Sequence, residues 1–425
     1  MASILILSID GAGVPLALRL VDEGHIVKMW IKNPHAHVLL KGYKNPSRVS
    51  DPYKMTDQYD LVLSDMVGTG AVCDNLSKKG KLVLGGGSFN DKLELDRAYG
   101  SKVATTLTGV ASPNTTEIAT KPELATFLDK AKTPVVIKPL NNKKTSLTLV
   151  SNDKQNRMLK SVVANGSDNL TPCIVQETIT GIEISTEGWF NGEEWAKPFN
   201  HTIERKRLMD GDKGALTGCM GNVVWPTQGN KLTALAIESL KPLLEKVNYI
   251  GPIDMNCIVT EDKAYFLEFT SRFGYDAIQA WAEMLKGSLF DYLYAIASRQ
   301  KDSFTYHNGY SLGVRLTVAP YPGKEGIDRW KKVKAIDIPK EASRHVWLTD
   351  VMKNDDEVLL AGGYGVIGCV TARGTTVREC QRRVYRTIKN ISLTDDIQYR
   401  NDIGDTVEKD KQQLIDWGWV DATTG

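Results

Sequence analysis

The first ninety residues alternate short apolar runs with helix-patterned ones: SILILSID, PLALRLVDEG, HIVKMWIK, YDLVLSDM and GKLVLGGG. Strands separated by helices cannot pair as tight hairpins. Each must cross over a helix before the next, which lays the strands parallel and covers both faces of the sheet. Residues 1–90 are therefore expected to form a Rossmann-like α/β unit. Its first turn, Asp10-Gly11-Ala12-Gly13-Val14-Pro15, has two glycines and then a proline suited to the start of a helix, so a phosphate could rest on that helix N-terminus. A dinucleotide fingerprint is incomplete, because Leu16 stands where a third Gly or Ala is needed and the second strand ends in Lys32-Asn33 instead of an acid. The plain alternative is a strand-to-helix turn with no ligand.

The remaining bounds point to small-molecule partners. With 425 residues, 42% hydrophobic and 24% charged, the chain reads as a soluble globular protein of several domains. A formal charge of +2 leaves no broad basic footprint for nucleic acid or membrane. The N-terminal run lacks a basic segment and is interrupted by Asp10, so it reads as a strand and not a signal peptide, and no apolar stretch has the length of a membrane span. The six cysteines show no C-x-x-C spacing, which suits reduced thiols and a cytoplasmic location.

From about 91 to 320 the pattern turns to mixed helices and antiparallel strands, with helices expected over 231–247 and 276–298. Residues 321–425 read as a further small C-terminal domain. Its amphipathic helix TTVRECQRRVYRTIKNI carries a basic stripe, Arg378, Arg382, Arg386 and Lys389, expected as a solvated face.

The chemistry concentrates in AYFLEFTSRFG, residues 264–274. Strand alternation places Tyr265, Leu267 and Phe269 on one face and Phe266, Glu268 and Thr270 on the other. Upstream, GPIDMNCIVTEDK alternates likewise, with Asp254 and Asn256 sharing a face. A three-residue turn at 261–263 would pair the two strands with Asn256 opposite Glu268 and Asp254 opposite Thr270. Four oxygen-bearing side chains then converge, which suits a hard cation shared with phosphates; an exposed polar hairpin face is the alternative. Lys138, at the end of the strand VVIKPL, could reach a triphosphate. QETITGIEIS offers backbone for an adenine edge and Glu183 for ribose hydroxyls. ERKRLMDGDKGALTGCMG reads as a long charged functional loop.

Taken in order, Lys138, QETITGIEIS, RKRLMDGDKGALTGCMG and FLEFTSRFG resemble the ATP-grasp superfamily. More narrowly they are similar to the phosphoribosylamine–glycine ligase (glycinamide ribonucleotide synthetase) family, and AGGYGVIGCVTARGTTVRECQRRVYRTIKNI with YRNDIG resembles its closing domain. The resemblance implies an ATP-grasp fold of two α+β subdomains, with a lid over about 110–190. It places Lys138 and Lys92 on ATP phosphates, backbone near Glu177 and Ile179 on adenine, Glu183 on ribose, and magnesium, with manganese as a substitute, on Glu268, Thr270 and Asp254. Substrates would meet Gly11, Gly13, Lys206, Asp210, Thr217 and Gly218, with Arg272 and Asp212 catalytic. The implied reaction phosphorylates the glycine carboxylate with ATP, after which an amine attacks the acyl phosphate.

The chain departs from that pattern at telling places. Thr270 replaces a magnesium asparagine. PLNNKKTSLTLV replaces a glycine-rich lid segment, so contacts there pass to Lys143, Lys144 or hydroxyls. The first turn lacks the Arg, Glu and His that the family places near the amine. A ligase using a different amine, or a nucleotide-binding regulator without catalysis, are the alternative readings.

Overall fold

A computed structural model describes residues 1–54, 56–140, 148–151, 153–166, 170–300, 304–323, 337–355, 357–391 and 397–422. Strands β1 (Ser3–Ser8), β2 (Ile26–Ile31), β3 (Ser47–Val49), β4 (Leu61–Ser64) and β5 (Val83–Leu84) form the expected parallel sheet, in the order β3-β2-β1-β4-β5. The middle of β1 is wholly buried, Ile4 through Leu7 at 0% exposure, because helices cover both of its faces.

A small antiparallel sheet follows, built from β6 (Thr115–Ile118), β7 (Val135–Pro139), β8 (Leu149–Val150) and β9 (Cys173–Glu177) in the order β6-β9-β7-β8. It has a core of its own, in which Ile118, Leu124, Leu128, Ile137 and Val175 pack together. The helix Lys121–Lys130 that covers it starts at a capping box, Thr120 with Glu123.

The largest sheet contains β10 (Ile182–Phe190), β11 (Trp195–Met209), β12 (Lys213–Thr227), β13 (Gly251–Val259), β14 (Ala264–Thr270), β15 (Tyr310–Val318) and β16 (Val346–Leu348). Beyond the small hairpin β17 (Val351–Asn354) and β18 (Glu357–Leu360), it takes in β19 (Val366–Gly374) and β20 (Ile397–Gln398). The order is β14-β13-β10-β11-β12-β15-β19-β16, with β20 paired to β15. The strands of the expected C-terminal unit therefore continue the central sheet across residue 320. The helix Val377–Asn390 packs on β15 and β19 through Val377, Cys380, Val384 and Ile388 and leaves Arg378, Arg382, Arg386 and Lys389 exposed, as its pattern requires.

Three expectations are corrected. The stretch 231–247 is broken into Lys231–Ala236, a short 3-10 turn and Lys241–Lys246, with Pro242 opening the second helix. The stretch 276–298 is two helices, Ala277–Met284 and Leu289–Ala297, interrupted near Gly287, whose φ of 140° no helix accommodates. The segment 204–221, expected as a loop, is most of the long hairpin β11–β12. Its backbone groups are satisfied by cross-strand pairing from Phe199↔Thr227 to Met209↔Lys213, so it needs little apolar periodicity to be ordered. The six cysteines are buried and unbridged. Among the described residues no helix is long and apolar enough to cross a membrane.

Candidate functional site

The β13–β14 hairpin has the expected pairing, Asn256↔Glu268 and Asp254↔Thr270, but reaches it by another route. Val259 pairs with Ala264, so the turn holds Thr260 through Lys263, closed by Thr260 N–H donating to the Lys263 carbonyl at 2.8 Å. A bulge then restores the register between Cys257↔Phe266 and Asn256↔Glu268. The extra residue breaks strict alternation. Phe266 leaves the Glu268 face and joins Phe269 in the core, their rings 5.0 Å apart, whereas Glu268 and Thr270 remain on the polar side.

Alternate positions on neighbouring strands extend that polar side across the sheet: Glu183, Ser185 and Glu187 on β10, Thr202, Glu204 and Lys206 on β11, Asp254 and Asn256 on β13. Lys206 ties the outer end together. Its ammonium donates to Glu183 at 2.9 Å and lies 3.4 Å from Glu268, and the Asn256 amide donates to Glu183 at 2.9 Å. Burial works against charge on Lys206, but Glu268, Glu183 and Glu204 raise its pKa well above the ordinary value. Loss of solvent opposes charge on Glu268, yet Lys206, Lys138 and Arg272 outweigh it and hold its carboxyl below the usual range. Lys138 faces the same group. Burial and the nearby Arg97 lower its ammonium to about 8, against the pull of Glu268 and Glu183.

One cavity of about 80 Å³ runs along the face, lined by Glu187, Glu204, Asp254, Asn256, Gly218 and Gly274 as well as by Lys206, Glu268, Thr270, Arg272 and Tyr275. The inner end is different. Burial raises Glu187 to about 7 despite a 2.9 Å hydrogen bond from the Trp189 indole. Burial likewise raises Glu204 to about 7, against the attraction of Lys206. Asp254 is raised well above the carboxylate range by burial and by Glu187, its pairing partner on β10. Asp254 lies opposite Thr270 on one side and Glu187 on the other, and lines the same cavity as Glu268, Glu187 and Glu204. Among the described residues no group of three His, Cys, Asp or Glu could enclose a metal ion by itself.

The rim is anchored from two sides. Arg272 Nε donates to Glu94 at 3.0 Å, so the guanidinium expected to act on substrate already has a carboxylate partner within the chain. Asp276 receives Arg315 through two bonds of 2.8 and 2.9 Å and fixes the loop that carries Gly274 and Tyr275. A second cavity, about 550 Å³, lies beside the end of β7 and is lined by Lys92, Asp96, Arg97, Pro139 and Leu140. Lys92 stands over the Tyr99 ring at 4.2 Å. Glu177 ends β9, its N–H bonded to the Asn114 carbonyl at 3.3 Å, and Ile179 lies in the half-buried link to β10. Lys143 and Lys144 lie outside the described residues.

Other expected site residues are placed elsewhere. Asp212, expected to be catalytic, accepts Arg400 at 2.7 Å at the tip of the β11–β12 hairpin, and Asp210 accepts the Asn401 N–H at 2.8 Å. Both are tied to the C-terminal segment and do not line the cavity. Thr217 donates to the Lys206 carbonyl at 2.7 Å and supports that strand. Gly13 at the first turn donates to Asp65 at 2.6 Å, so the helix N-terminus expected to hold a phosphate holds a carboxylate of the chain. Asp65 is wholly buried and raised by burial to about 8. Gly11 is kept by its φ of 93° and by Leu39, which a Cβ would meet at 2.3 Å.

Residues 97–277 match the family model described as phosphoribosylglycinamide synthetase, ATP-grasp (A) domain. They form an ATP-grasp domain of that family. The chain is 27% identical over 344 residues to a phosphoribosylamine–glycine ligase of Helicobacter pylori, covering 77% of this chain and 78% of the relative. It is 24% identical over 350 residues to the enzyme of that name from Clostridium acetobutylicum, covering 78% and 81%. In fold it is similar to the crystal structure of phosphoribosylamine–glycine ligase from Thermotoga maritima, with a TM-score of 0.68, 20% identity and coverage of 95% of this chain and 100% of the other. The reaction class follows: an ATP-dependent ligase, of a superfamily that uses ATP with a divalent metal.

Sequence reasoning assigned no role to Glu187, Glu204, Asp65 or Arg315. Position within the strand marks Glu187 and Glu204 as sharing a face with Glu183 and Lys206. Nothing local marks Asp65 or Arg315, whose partners are 52 and 39 residues away.

Proposed function

We propose that this protein is a carboxylate–amine ligase that uses ATP to join the carboxylate of an amino acid to an amine through an acyl phosphate, working in the cytoplasm on small molecules. The relatives' name gives glycine and phosphoribosylamine as the first pair to test, with glycinamide ribonucleotide, ADP and phosphate as products. The observation that carries the proposal is Lys206 held between Glu183 and Glu268, with Lys138 facing the same cluster. In this reading ATP lies between the small sheet and the central sheet, its phosphates on Lys138 and Lys92, its adenine along the backbone near Glu177 and Ile179 and its ribose at Glu183.

Glu268 and Thr270 fit magnesium, or manganese in its place: one charged carboxylate and one hydroxyl on the same strand face, with phosphates and water to complete the shell. Such an ion supplies charge neutralisation between the triphosphate and Glu268. The chain's own residues do the rest by positioning. Lys206 orients Glu183 and Glu268 and offsets their mutual repulsion. Lys138, its ammonium easily deprived of charge in a buried place, gains a full countercharge when phosphates arrive. The enclosed inner cavity keeps water from the acyl phosphate, so that the amine and not water takes the acyl group.

Hydroxylamine tests this without knowledge of the amine. Purified protein with ATP, magnesium, glycine and hydroxylamine is expected to form the glycine hydroxamate with one ADP per turnover. No hydroxamate from any of the standard amino acids would remove the ligase reading. A second reading, a different amine, is favoured by Asp65 occupying the helix N-terminus where a phosphate would otherwise rest. Mass analysis of products from phosphoribosylamine made in situ, against a panel of unphosphorylated amines, separates the two.

A further inference from the structure

The cavity contains a group of acceptors that neither of the cations on its lining is ion-paired with among the described residues, since Lys206 pairs with Glu183 and Glu268 and Arg272 with Glu94. Glu187 and Asp254 are opposite each other on β10 and β13, and Asn256 is two positions along β13 on the same face. All three are more than nine-tenths buried, at 5%, 7% and 4% exposure. The Asn256 amide nitrogen is used by Glu183, whereas its Oδ1 has no hydrogen-bond partner among the described residues. A buried carbonyl oxygen left without a donor costs about 1–3 kcal/mol, so its retention beside two buried carboxylates marks a place where a donor arrives from outside.

An ammonium group has three N–H donors and no acceptor, and the site offers two carboxylates and one carbonyl oxygen. The nearest cation in the cluster, Lys206, is engaged with Glu183 and Glu268 at the outer end. A metal ion is the poorer occupant, because no three His, Cys, Asp or Glu among the described residues could enclose one. Space is available: a Cβ added at Gly218 would meet nothing within 4 Å, and one at Gly274 would come no nearer than 3.9 Å to Glu187 Oε2. The cavity of about 80 Å³ holds a few heavy atoms and no nucleotide.

We infer that Glu187, Asp254 and Asn256 Oδ1 bind the ammonium of the amino acid whose carboxylate is activated, and so select an α-amino acid over other small carboxylates. This rests on the ligase reading above. It assigns specificity to Asp254 and Asn256 on β13, the strand beside Glu268, and to Glu187 on β10, one strand further, and it explains why a protein retains two facing buried carboxylates that the fold does not require.

The test compares amino acids with their hydroxy-acid counterparts, glycine with glycolate and alanine with lactate, in the hydroxylamine assay on the full chain. Wild-type protein should favour the accepted amino acid over its hydroxy acid by about a hundredfold or more in kcat/KM, as expected when a buried polar site loses its partner. In Glu187→Gln and Asp254→Asn that preference should fall to within about tenfold, mainly through KM for the amino acid, with KM for ATP within about twofold. Glu187→Asp should recover part of it. Equal use of glycine and glycolate by wild type overturns the inference while leaving the ligase reading intact, and so does an unchanged preference in both variants. Absence of any hydroxamate sinks the ligase reading and the inference with it. Should either variant fail to fold, the wild-type comparison alone still decides.

Discussion

Two acidic regions of this molecule treat their carboxylates in opposite ways. At the tip of the β11–β12 hairpin, Asp212 and Asp402 share the Arg400 guanidinium in bonds of 2.7 Å, Asp210 takes the Asn401 N–H and Asp402 also takes the Gly211 N–H. Every acid there has a donor, and Asp402 is held below its ordinary pKa by Arg400 and Gly211 even though burial opposes it. In the inner cavity, where β13, β10 and β11 stand side by side in the sheet order, Glu187, Glu204 and Asp254 are pushed upward by burial. A saturated network fastens one segment to another. An unsaturated one, kept at a cost to stability, is where a ligand completes the set. A motif that carries the family resemblance, RKRLMDGDKGALTGCMG, holds Asp210 and Asp212 at the tip, whereas Glu187, Glu204 and Asp254 of the cavity lie outside it.

The largest effect expected separates the regions by activity. Glu268→Gln should lower hydroxamate formation by more than about a hundredfold, because a neutral amide cannot supply the carboxylate's charge beside magnesium and a triphosphate. Asp212→Asn should change it by less than about threefold. Near-normal turnover of Glu268→Gln at limiting magnesium, or a large loss in Asp212→Asn, would reverse the assignment of the two regions.

Stability should separate them in the other direction. Arg400 is 1% exposed and serves two carboxylates, so Arg400→Ala should cost about 2 kcal/mol or more by chemical denaturation while kcat per folded molecule stays close to wild type. A variant of unchanged stability would mean that the tip network is ornamental.

Smaller but more diagnostic is the pH dependence. Glu187 is raised from 4.5 to about 7, so between those values the folded state holds a proton that the unfolded chain has released. That contribution to stability is present below about pH 4.5 and is lost as pH rises through 7. Melting temperature measured from pH 5 to 8 should therefore fall less steeply in Glu187→Gln than in wild type, by on the order of a few degrees across the range. Parallel curves would show that Glu187 is not strained in the folded protein.

Least of all should change in Thr270→Asn, which restores the residue used by the resembled family. Magnesium affinity read by titration is expected to hold or rise; a fall beyond about tenfold, 1.4 kcal/mol, would place the metal elsewhere on the face.

Local periodicity carried the sequence reading a long way. It identified the parallel sheet of residues 1–90, the pairing of Asp254 and Asn256 with Thr270 and Glu268, and the solvated stripe on the helix Val377–Asn390, because each depends on neighbours within a strand, a hairpin or a helix turn. It failed where an outcome rests on partners distant in sequence. The segment 204–221 lacks apolar periodicity and reads as a loop, but its two halves pair with each other across β11 and β12, and Arg400 and Asn401 of the C-terminal segment hold its tip. Asp212, Arg272 and Gly13 have the residue types of a site, and Arg400, Glu94 and Asp65 had taken their hydrogen bonds before any substrate could. The sequence by itself determined which residues could act, since chemistry and strand register are local. Only the tertiary structure decided which of them remain unsatisfied, because burial and competition for donors are properties of the assembled chain.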